Sequence, residues 1–404
     1  VSKGWKHCQL GDVIELKRGY DLPQKERQPG SIPLVSSSGV SDTHSVAKVK
    51  GPGVVTGRYG TIGTVYYVED DFWPLNTTLY VRDFKGNDPR FVSYFLRGID
   101  FHAYSDKAAV PGLNRNDLHQ ANILFPPFPE QRAIAATLGA LDDKIELNRK
   151  MNATLEAMAR ALFRDWFVDF GPTRAKMEGA APYLSPDLWS LFPDRLDAEG
   201  KPEGWEESGL LDLATLLSGG TPKTDKAEYW NGGIPWASAK DVSQCKDAFL
   251  IETERSISES GLKNSATKII PKYATVVVAR GATTGRSCMF GSDIAMNQTC
   301  YALTSRSGHP FWLNCAFREL VDRLVNAAHG SVFDTITTRT IEAVSLVQGP
   351  KEVCDQFEHM VTPMFQRLLA NVQESRTLAQ TRDLLLPRLM SGELRVAQAT
   401  ENPE

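Results

Sequence analysis

No run of roughly eighteen consecutive apolar residues, the length a helix needs to cross a bilayer, occurs in the 404-residue chain. The opening Val1-Ser2-Lys3-Gly4-Trp5-Lys6 also lacks the apolar core of a secretory signal, so the expectation is an unexported, cytoplasmic protein that engages no membrane. Cysteine is sparse: Cys8, Cys245, Cys288, Cys300, Cys315 and Cys354 include no Cys-x-x-Cys pair. That argues against a disulfide framework or a zinc cluster and for reduced, structural thiols. The seven histidines (His7, His44, His102, His119, His309, His329, His359) never fall at HxxxH or HxH spacing, so no two share a face as metal ligands. No GxxxxGK[ST] loop, GxGxxG turn or glycine-flanked serine elbow occurs either, which removes the sequence support for a bound nucleotide or a serine nucleophile. Strong positive charge is missing too. The chain carries −4 overall, residues 1–125 carry +2 and residues 205–349 carry −1, so any anion-binding surface must arise from local clustering.

What is present is ordinary globular material, 42% hydrophobic and 23% charged, which excludes a wholly disordered or fibrous chain. At roughly 150 residues per domain its length suggests two to three domains.

The chain is also written twice. Gly4-Trp5 recurs as Gly204-Trp205, Asp12 and Gly19 recur as Asp212 and Gly219, and Ser31-Ile32-Pro33 parallels Gly233-Ile234-Pro235. Val54-Val55-Thr56-Gly57-Arg58-Tyr59-Gly60-Thr61-Ile62-Gly63 matches Val276-Val277-Val278-Ala279-Arg280-Gly281-Ala282-Thr283-Thr284-Gly285, and Asn76-Thr77-Thr78-Leu79-Tyr80 matches Asn297-Gln298-Thr299-Cys300-Tyr301. The order is preserved throughout, and the offset changes only in loop-like stretches.

Within each copy, β-branched runs punctuated by Gly and Pro read as short buried strands. From Pro129 to Phe170 the period changes: Ile134, Leu138, Leu141, Ile145, Asn148, Asn152, Leu155, Ala159, Leu162 and Trp166 alternate gaps of four and three, the seam of a long helix that pairs with another. Asparagine inside such a seam lowers stability but fixes register, so Asn148 and Asn152 are expected to specify the docking partner. The matching stretch, about Pro350 to Met390, contains Pro363, which is expected to kink or restart the helix. Residues 171–204 hold Pro172, Pro182, Pro186, Pro193 and Pro202 without sustained periodicity and read as an irregular connector. The expected layout is a globular domain over 1–125, a helix over 126–170, the connector over 171–204, a second globular domain over 205–349 and a helix over 350–404. In fold class this is α+β: two repeated α/β domains and two long helices with a coiled-coil seam, in an internal repeat.

Two catalytic patterns come close and fall short. Glu15-Leu16-Lys17 imitates the ExK half of a metal-dependent nuclease, yet Thr215 and Leu217 stand at the aligned positions and no suitable Pro-Asp lies upstream. Phe125-Pro126-Pro127-Phe128 resembles the loop with which amino-methyltransferases grip an exocyclic amine, but Phe125 stands where an amine-accepting side chain is required. The prolines read more simply as the stop between a strand and a helix. No catalytic residue and no metal ligand is assigned.

What remains is polar side chains on expected loops. In the first copy these are Lys17, Arg18, Tyr20, Lys25, Arg27, Ser36, Ser37, Ser38, Arg58, Tyr59, Asn76, Thr77, Lys107, Asn114 and Arg115. In the second they are Thr221, Lys223, Thr224, Lys226, Trp236, Lys240, Arg280, Thr283, Arg286, Asn297, Gln298, His329 and Arg339. Arg, Lys, Asn and Gln read major-groove base edges, while Ser, Thr and further Lys suit phosphates. Such a set would suit DNA, but surface loops of most proteins carry these residues, so alone it assigns no ligand.

Longer motifs sharpen this. Leu162-Phe163-Arg164-Asp165-Trp166-Phe167-Val168-Asp169-Phe170, with Arg174-Ala175-Lys176, Leu191-Phe192-Pro193 and Pro202-Glu203-Gly204-Trp205, resembles the central region of the specificity subunits of type I restriction-modification systems. Pro126-Pro127-Phe128-Pro129-Glu130-Gln131 with Ile134 resembles their helix entry, and Leu385-Leu386-Pro387-Arg388-Leu389-Met390-Ser391-Gly392-Glu393-Leu394 their C-terminal ending. The second copy departs from the pattern, entering its helix through Gly349-Pro350-Lys351-Glu352-Val353 without the Glu-Gln pair. The resemblance implies a non-catalytic subunit with two target-recognition domains, each reading half of a bipartite site in double-stranded DNA. It implies that two long antiparallel coiled-coil helices separate these domains in a pseudo-two-fold repeat and dock two methyltransferase subunits, with Glu130, Gln131, Phe163, Trp166, Phe167, Leu385 and Leu389 as the expected partner contacts. S-adenosylmethionine is expected on the methyltransferase partner and no cofactor on this chain, and the presence of restriction subunits is left open. The alternative from another class is a duplicated protein-binding adaptor on a helical spacer.

Overall fold

The computed structural model describes residues 4–105, 112–327 and 335–396. The chain divides into two units, one of residues up to 145 together with those from 377 onward, the other of residues 146–376. Two 40-residue helices, Phe128–Phe167 and Lys351–Met390, each contribute one end to each unit.

Among its described residues the first unit holds nine strands: β1 (Lys6–Gln9), β2 (Glu15–Arg18), β3 (Ile32–Ser36), β4 (Gly39–His44), β5 (Gly53–Gly57), β6 (Val65–Val68), β7 (Trp73–Pro74), β8 (Thr78–Asp83) and β9 (Asn122–Phe125). They pair in the orders β2-β8-β5-β6, β4-β3-β7 and β1-β9. The second unit holds β10 (Glu206–Gly209), β11 (Ala214–Ser218), β12 (Trp230–Ala237), β13 (Phe249–Leu250), β14 (Arg255–Ile257), β15 (Ile269–Ile270), β16 (Thr275–Val278), β17 (Ser287–Phe290), β18 (Ile294–Met296), β19 (Cys300–Ser305) and β20 (Ser345–Gln348). Their orders are β11-β19-β16-β17-β13, β14-β12-β18-β15 and β10-β20. Apart from β13 and β15, each strand has a counterpart with the same neighbours in the first unit. The one parallel pair of the middle sheet is shared as well, β3 with β7 and β12 with β18. The sequence repeat is thus a repeat of topology.

Gly19 and Gly219 show why the repeat keeps glycine there. Each follows the strand that opens its main sheet, and a Cβ would strike the backbone carbonyl of Leu75 in one copy and of Met296 in the other. That close approach seats the Asn76-Thr77 turn beside the end of β2, and the Asn297-Gln298 turn beside the end of β11.

In the first unit Leu16, Val54, Leu79 and Val81 of the main sheet pack against Phe91, Phe95 and Leu96 of the helix Pro89–Arg97, and Ile134, Leu138 and Leu389 of the long helices close the same core. Asp142 anchors this end: it accepts hydrogen bonds from Tyr94 and, at 2.6 Å, from Arg382. Burial would raise its carboxyl pKa, but those two donors outweigh burial and hold it low.

In the second unit, Asn148 is fully buried and donates to Glu374 at 2.8 Å and Ser375 at 3.2 Å, and Asn152 accepts from Asn371 at 2.8 Å. Numbers rise along one helix as they fall along the other, so these stretches run in opposite directions. The asparagines do bond across the seam, as their spacing predicts.

Three sequence expectations need correction. The first long helix begins at Phe128 and ends at Phe167. It ends early because the amides of Val168 and Asp169 both turn back to the carbonyl of Arg164 and Phe170 takes a left-handed φ of 54°. The second long helix runs through Pro363 without restarting; that residue is exposed, as is His359, whose carbonyl loses its helical donor there. The connector contains helices Gly171–Met177 and Pro186–Ser190, because Pro172 and Pro186 occupy first-turn positions where proline starts a helix. None of the six cysteines is in a disulfide. Among the described residues no helix is long and apolar enough to cross a membrane.

Buried Glu358, on the second long helix, accepts the backbone N–H groups of Phe311 and Trp312 at 3.1 and 2.8 Å, capping the helix Pro310–Ala327. Burial pushes its carboxyl up from an ordinary 4.5 to about 7, against the two backbone donors that favour the charged form. Between those values the folded chain holds a proton that the unfolded chain has released, so this group's stabilising contribution falls as pH rises. Glu358→Gln is therefore expected to flatten the decline in melting temperature from pH 4.5 to 7. An unchanged slope in thermal melts across that window would refute this role.

Candidate nucleic-acid interface

In the first unit the loops at one end of the main sheet gather most of the expected residues. β5 and β6 are joined through Arg58-Tyr59-Gly60-Thr61-Ile62-Gly63-Thr64, where Gly60 and Gly63 take φ of 77° and 86°, values that favour glycine. The backbone of Arg58 is held on both sides, its N–H bonded to Thr77 O at 2.9 Å and its carbonyl accepting from Leu113 N at 3.0 Å. Its guanidinium lies 4.6 Å from the centre of the Tyr59 ring, and Tyr59 is 37% exposed. Arg18, Arg58, Tyr59, Asn114 and Arg115 line one concavity of about 480 Å³ together with Leu79, Gly112, Leu113 and Asn116. Behind it His119 accepts the N–H of Leu16 at 2.9 Å and fixes the short helix Arg115–His119 against β2; burial, aided by Arg115, lowers the imidazole pKa.

A second concavity of about 450 Å³ gathers Ser36, Asn76 and Thr77 with Asp21, Arg27 and Ser41. Asn76 donates to Asp21, Thr77 accepts from Ser37 N at 3.4 Å, and Arg27 pairs with Asp42 at 2.9 Å. Tyr20 joins Tyr80 through their hydroxyls at 2.9 Å and accepts from Lys17 at 3.4 Å. The bond from Tyr80 lowers the Tyr20 phenol, whereas burial raises that of Tyr80. Lys25 is exposed in the turn Gln24–Glu26 and lines neither concavity. Lys107 lies outside the described residues. Glu15, the acid of the nuclease-like pattern, is ion-paired with Arg82.

The second unit repeats the β-hairpin loop. Arg280, Thr283 and Arg286 sit on it and are exposed, and Gly285 takes φ 89° where the aligned Gly63 takes 86°. Thr221 donates to Gln298 at 2.6 Å, joining two of the expected positions, and Asn297 is held by its N–H to Ala237 O at 3.0 Å. Lys223, Thr224 and Arg339 are exposed. Lys240 is exposed but its charge is answered by Glu254 at 2.6 Å. His329 lies outside the described residues.

Several of the expected contact residues are buried within the chain itself. Trp236 is only 4% exposed and its indole N–H donates to Gly220 O at 3.0 Å, so it supports the sheet and offers no edge to a ligand. Gln131, Phe163, Trp166, Phe167 and Leu389 are buried in this chain's own cores. Gln131 ties the start of the first long helix to Asn87, at 2.8 Å, and Pro126 O, at 3.0 Å. Trp166 and Phe167 pack on Phe192, Trp205 and Phe357 with ring centroids 5.1–6.1 Å apart. Glu130 accepts from the indole of Trp5 at 2.8 Å, and Leu385 is partly buried against the first core. These motif residues hold the chain together. Sequence reading overlooked Asp21 and Asn116, which line the concavities, and Arg255, whose guanidinium lies 3.5 Å from the Trp230 ring centre. Strand alternation around Arg255 was the available signal.

The same two segments that carry these loops match a known family. Residues 2–157 and 202–346 each match the type I restriction modification DNA specificity domain. The chain is 27% identical over 338 residues to the HindI type I restriction enzyme specificity subunit of Haemophilus influenzae, covering 72% of this chain and 73% of that protein. It is 26% identical over 427 aligned residues to the MjaIX specificity subunit of Methanocaldococcus jannaschii, covering 98% and 95%. Its fold is similar to the crystal structure of the type I restriction-modification S subunit from M. genitalium, with a TM-score of 0.62, 16% identity and 96% of each chain covered. With that domain present twice, the chain belongs to the type I restriction-modification DNA specificity family.

Proposed function

We propose that this chain is the non-catalytic, sequence-reading subunit of a type I restriction-modification complex. Each specificity domain reads one half of a bipartite site in double-stranded DNA. The two long helices pair as an antiparallel coiled coil that sets the separation of the half-sites and docks the methyltransferase subunits, which carry S-adenosylmethionine and the adenine-methylating site. The observation that carries this reading is the matched topology of the two copies, each with a Gly-bounded Arg loop at the same sheet end. Two readers of one architecture suit a site in two parts, and the polar loop residues suit base edges and phosphates.

The test exchanges one reader. Replacing residues 205–349 with the corresponding segment of another family member, in the complex with methyltransferase subunits, is expected to change one half of the methylated sequence and leave the other intact. Altered preference in both halves, with the fold retained by circular dichroism, would overturn independent reading. Binding of the parent complex should also weaken steeply with salt, by a log–log slope of about −0.9 for each phosphate contacted. A nearly flat slope would favour the protein-binding adaptor.

A further inference from the structure

The geometry points to a guanine in the half-site read by the first unit, with Arg58 reading it and Arg18 and Arg115 holding the flanking phosphates; this rests on the DNA-reading role proposed above. The three arginines meet in a single concavity, and no carboxylate lines it among the described residues. They are not equivalent. A phosphate contact needs only positive charge within reach, whereas bidentate recognition of guanine O6 and N7 needs a guanidinium plane held in one orientation. Among the described contacts, Arg58 is the arginine of the three whose guanidinium lies over an aromatic ring, 4.6 Å from the centre of Tyr59, on a backbone bonded on both sides at 2.9 and 3.0 Å.

Arg18, at the end of β2, and Arg115, at the start of a five-residue helix, are exposed side chains on the same rim. Their reach and charge suit the sugar-phosphate strand on either side of the base. The second unit lacks this arrangement. Gly281 replaces the tyrosine platform beside Arg280, with φ 103°, and Ser218 stands at the position of Arg18.

The experiment selects bound duplexes from a randomised pool with the complete methyltransferase complex, then measures affinity against salt. The parent complex should demand guanine at one position of one half-site. Arg58→Ala should lose that demand, with affinity for the selected site falling about tenfold to a hundredfold while the other positions stay as specified. Tyr59→Ala should blur the same base and leave the salt slope unchanged. Arg18→Ala and Arg115→Ala should weaken all sequences alike and each reduce the slope by about one. If Arg58→Ala weakened every sequence equally and left the preference intact, the guanine assignment would fail while DNA reading stood. If none of the four variants changed affinity or preference, the concavity would lie off the DNA. A parent complex that enriched no sequence from the pool would instead overturn the DNA-reading role itself.

Discussion

Trp166→Ala is expected to remove about 3–5 kcal/mol of folding stability, the range for truncating a large aromatic side chain in a packed core. Trp166 is fully buried, with Phe192 at 5.1 Å and Phe357 at 6.1 Å between ring centres, and the second unit's largest cluster is built around it. Neighbouring rings cannot collapse into the space without leaving their own contacts, so most of the cavity persists. Differential scanning calorimetry should show a melting temperature lower by on the order of 10 °C for the transition of the second unit. The control is Leu384→Ala on the second long helix, where the side chain is 60% exposed and stability should change by about 0.5 kcal/mol or less. If Trp166→Ala left the melting temperature unchanged and weakened only methyltransferase binding, Trp166 would be a partner contact after all.

Lengthening both long helices by one heptad is expected to shift the preferred spacing between half-sites by about three base pairs. The insertions belong after Ile145 and after Arg376, where the units divide. Seven helical residues add about 10 Å and keep the apolar seam in phase, and duplex DNA rises about 3.4 Å per base pair. The parental site should bind much more weakly, because both readers can no longer engage it together. Three base pairs also turn the far half-site by roughly 100° about the duplex axis, which a rigid helix pair does not follow, so affinity for the longer spacer should stay below the parental value. The readout is selection from a library of spacer lengths. An insertion variant that remained helical and still selected the parental spacer would show that the helices do not set the separation.

The sequence by itself determined the repeat and the long helices, because both are written in local or periodic terms. Of the seam positions read from gaps of four and three, Ile134, Leu138, Asn148, Ala159 and Trp166 are buried, and the others are partly buried. Arg58 with Arg280, and Gly63 with Gly285, could be aligned before any fold was known, and the loops they mark do occupy equivalent turns. Sequence also picked out most of the polar residues lining the two concavities, since they lie near glycine or proline turns.

Only the tertiary structure decided which of those residues face outward. Trp236, Phe163, Trp166, Phe167 and Leu389 read as contact residues in sequence because aromatic and apolar side chains serve cores and interfaces alike. Their burial depends on elements far along the chain, such as Phe357 and Phe192 closing over Trp166, which no local pattern encodes. The same holds for Gly19 and Gly219: the repeat marks them as required, but the reason is a carbonyl far along the chain, at Leu75 and Met296, that leaves no room for a Cβ. Arg18, Arg58 and Arg115 likewise become one site only when β2, the β5–β6 turn and the helix Arg115–His119 converge, because long-range strand pairing sets that meeting point.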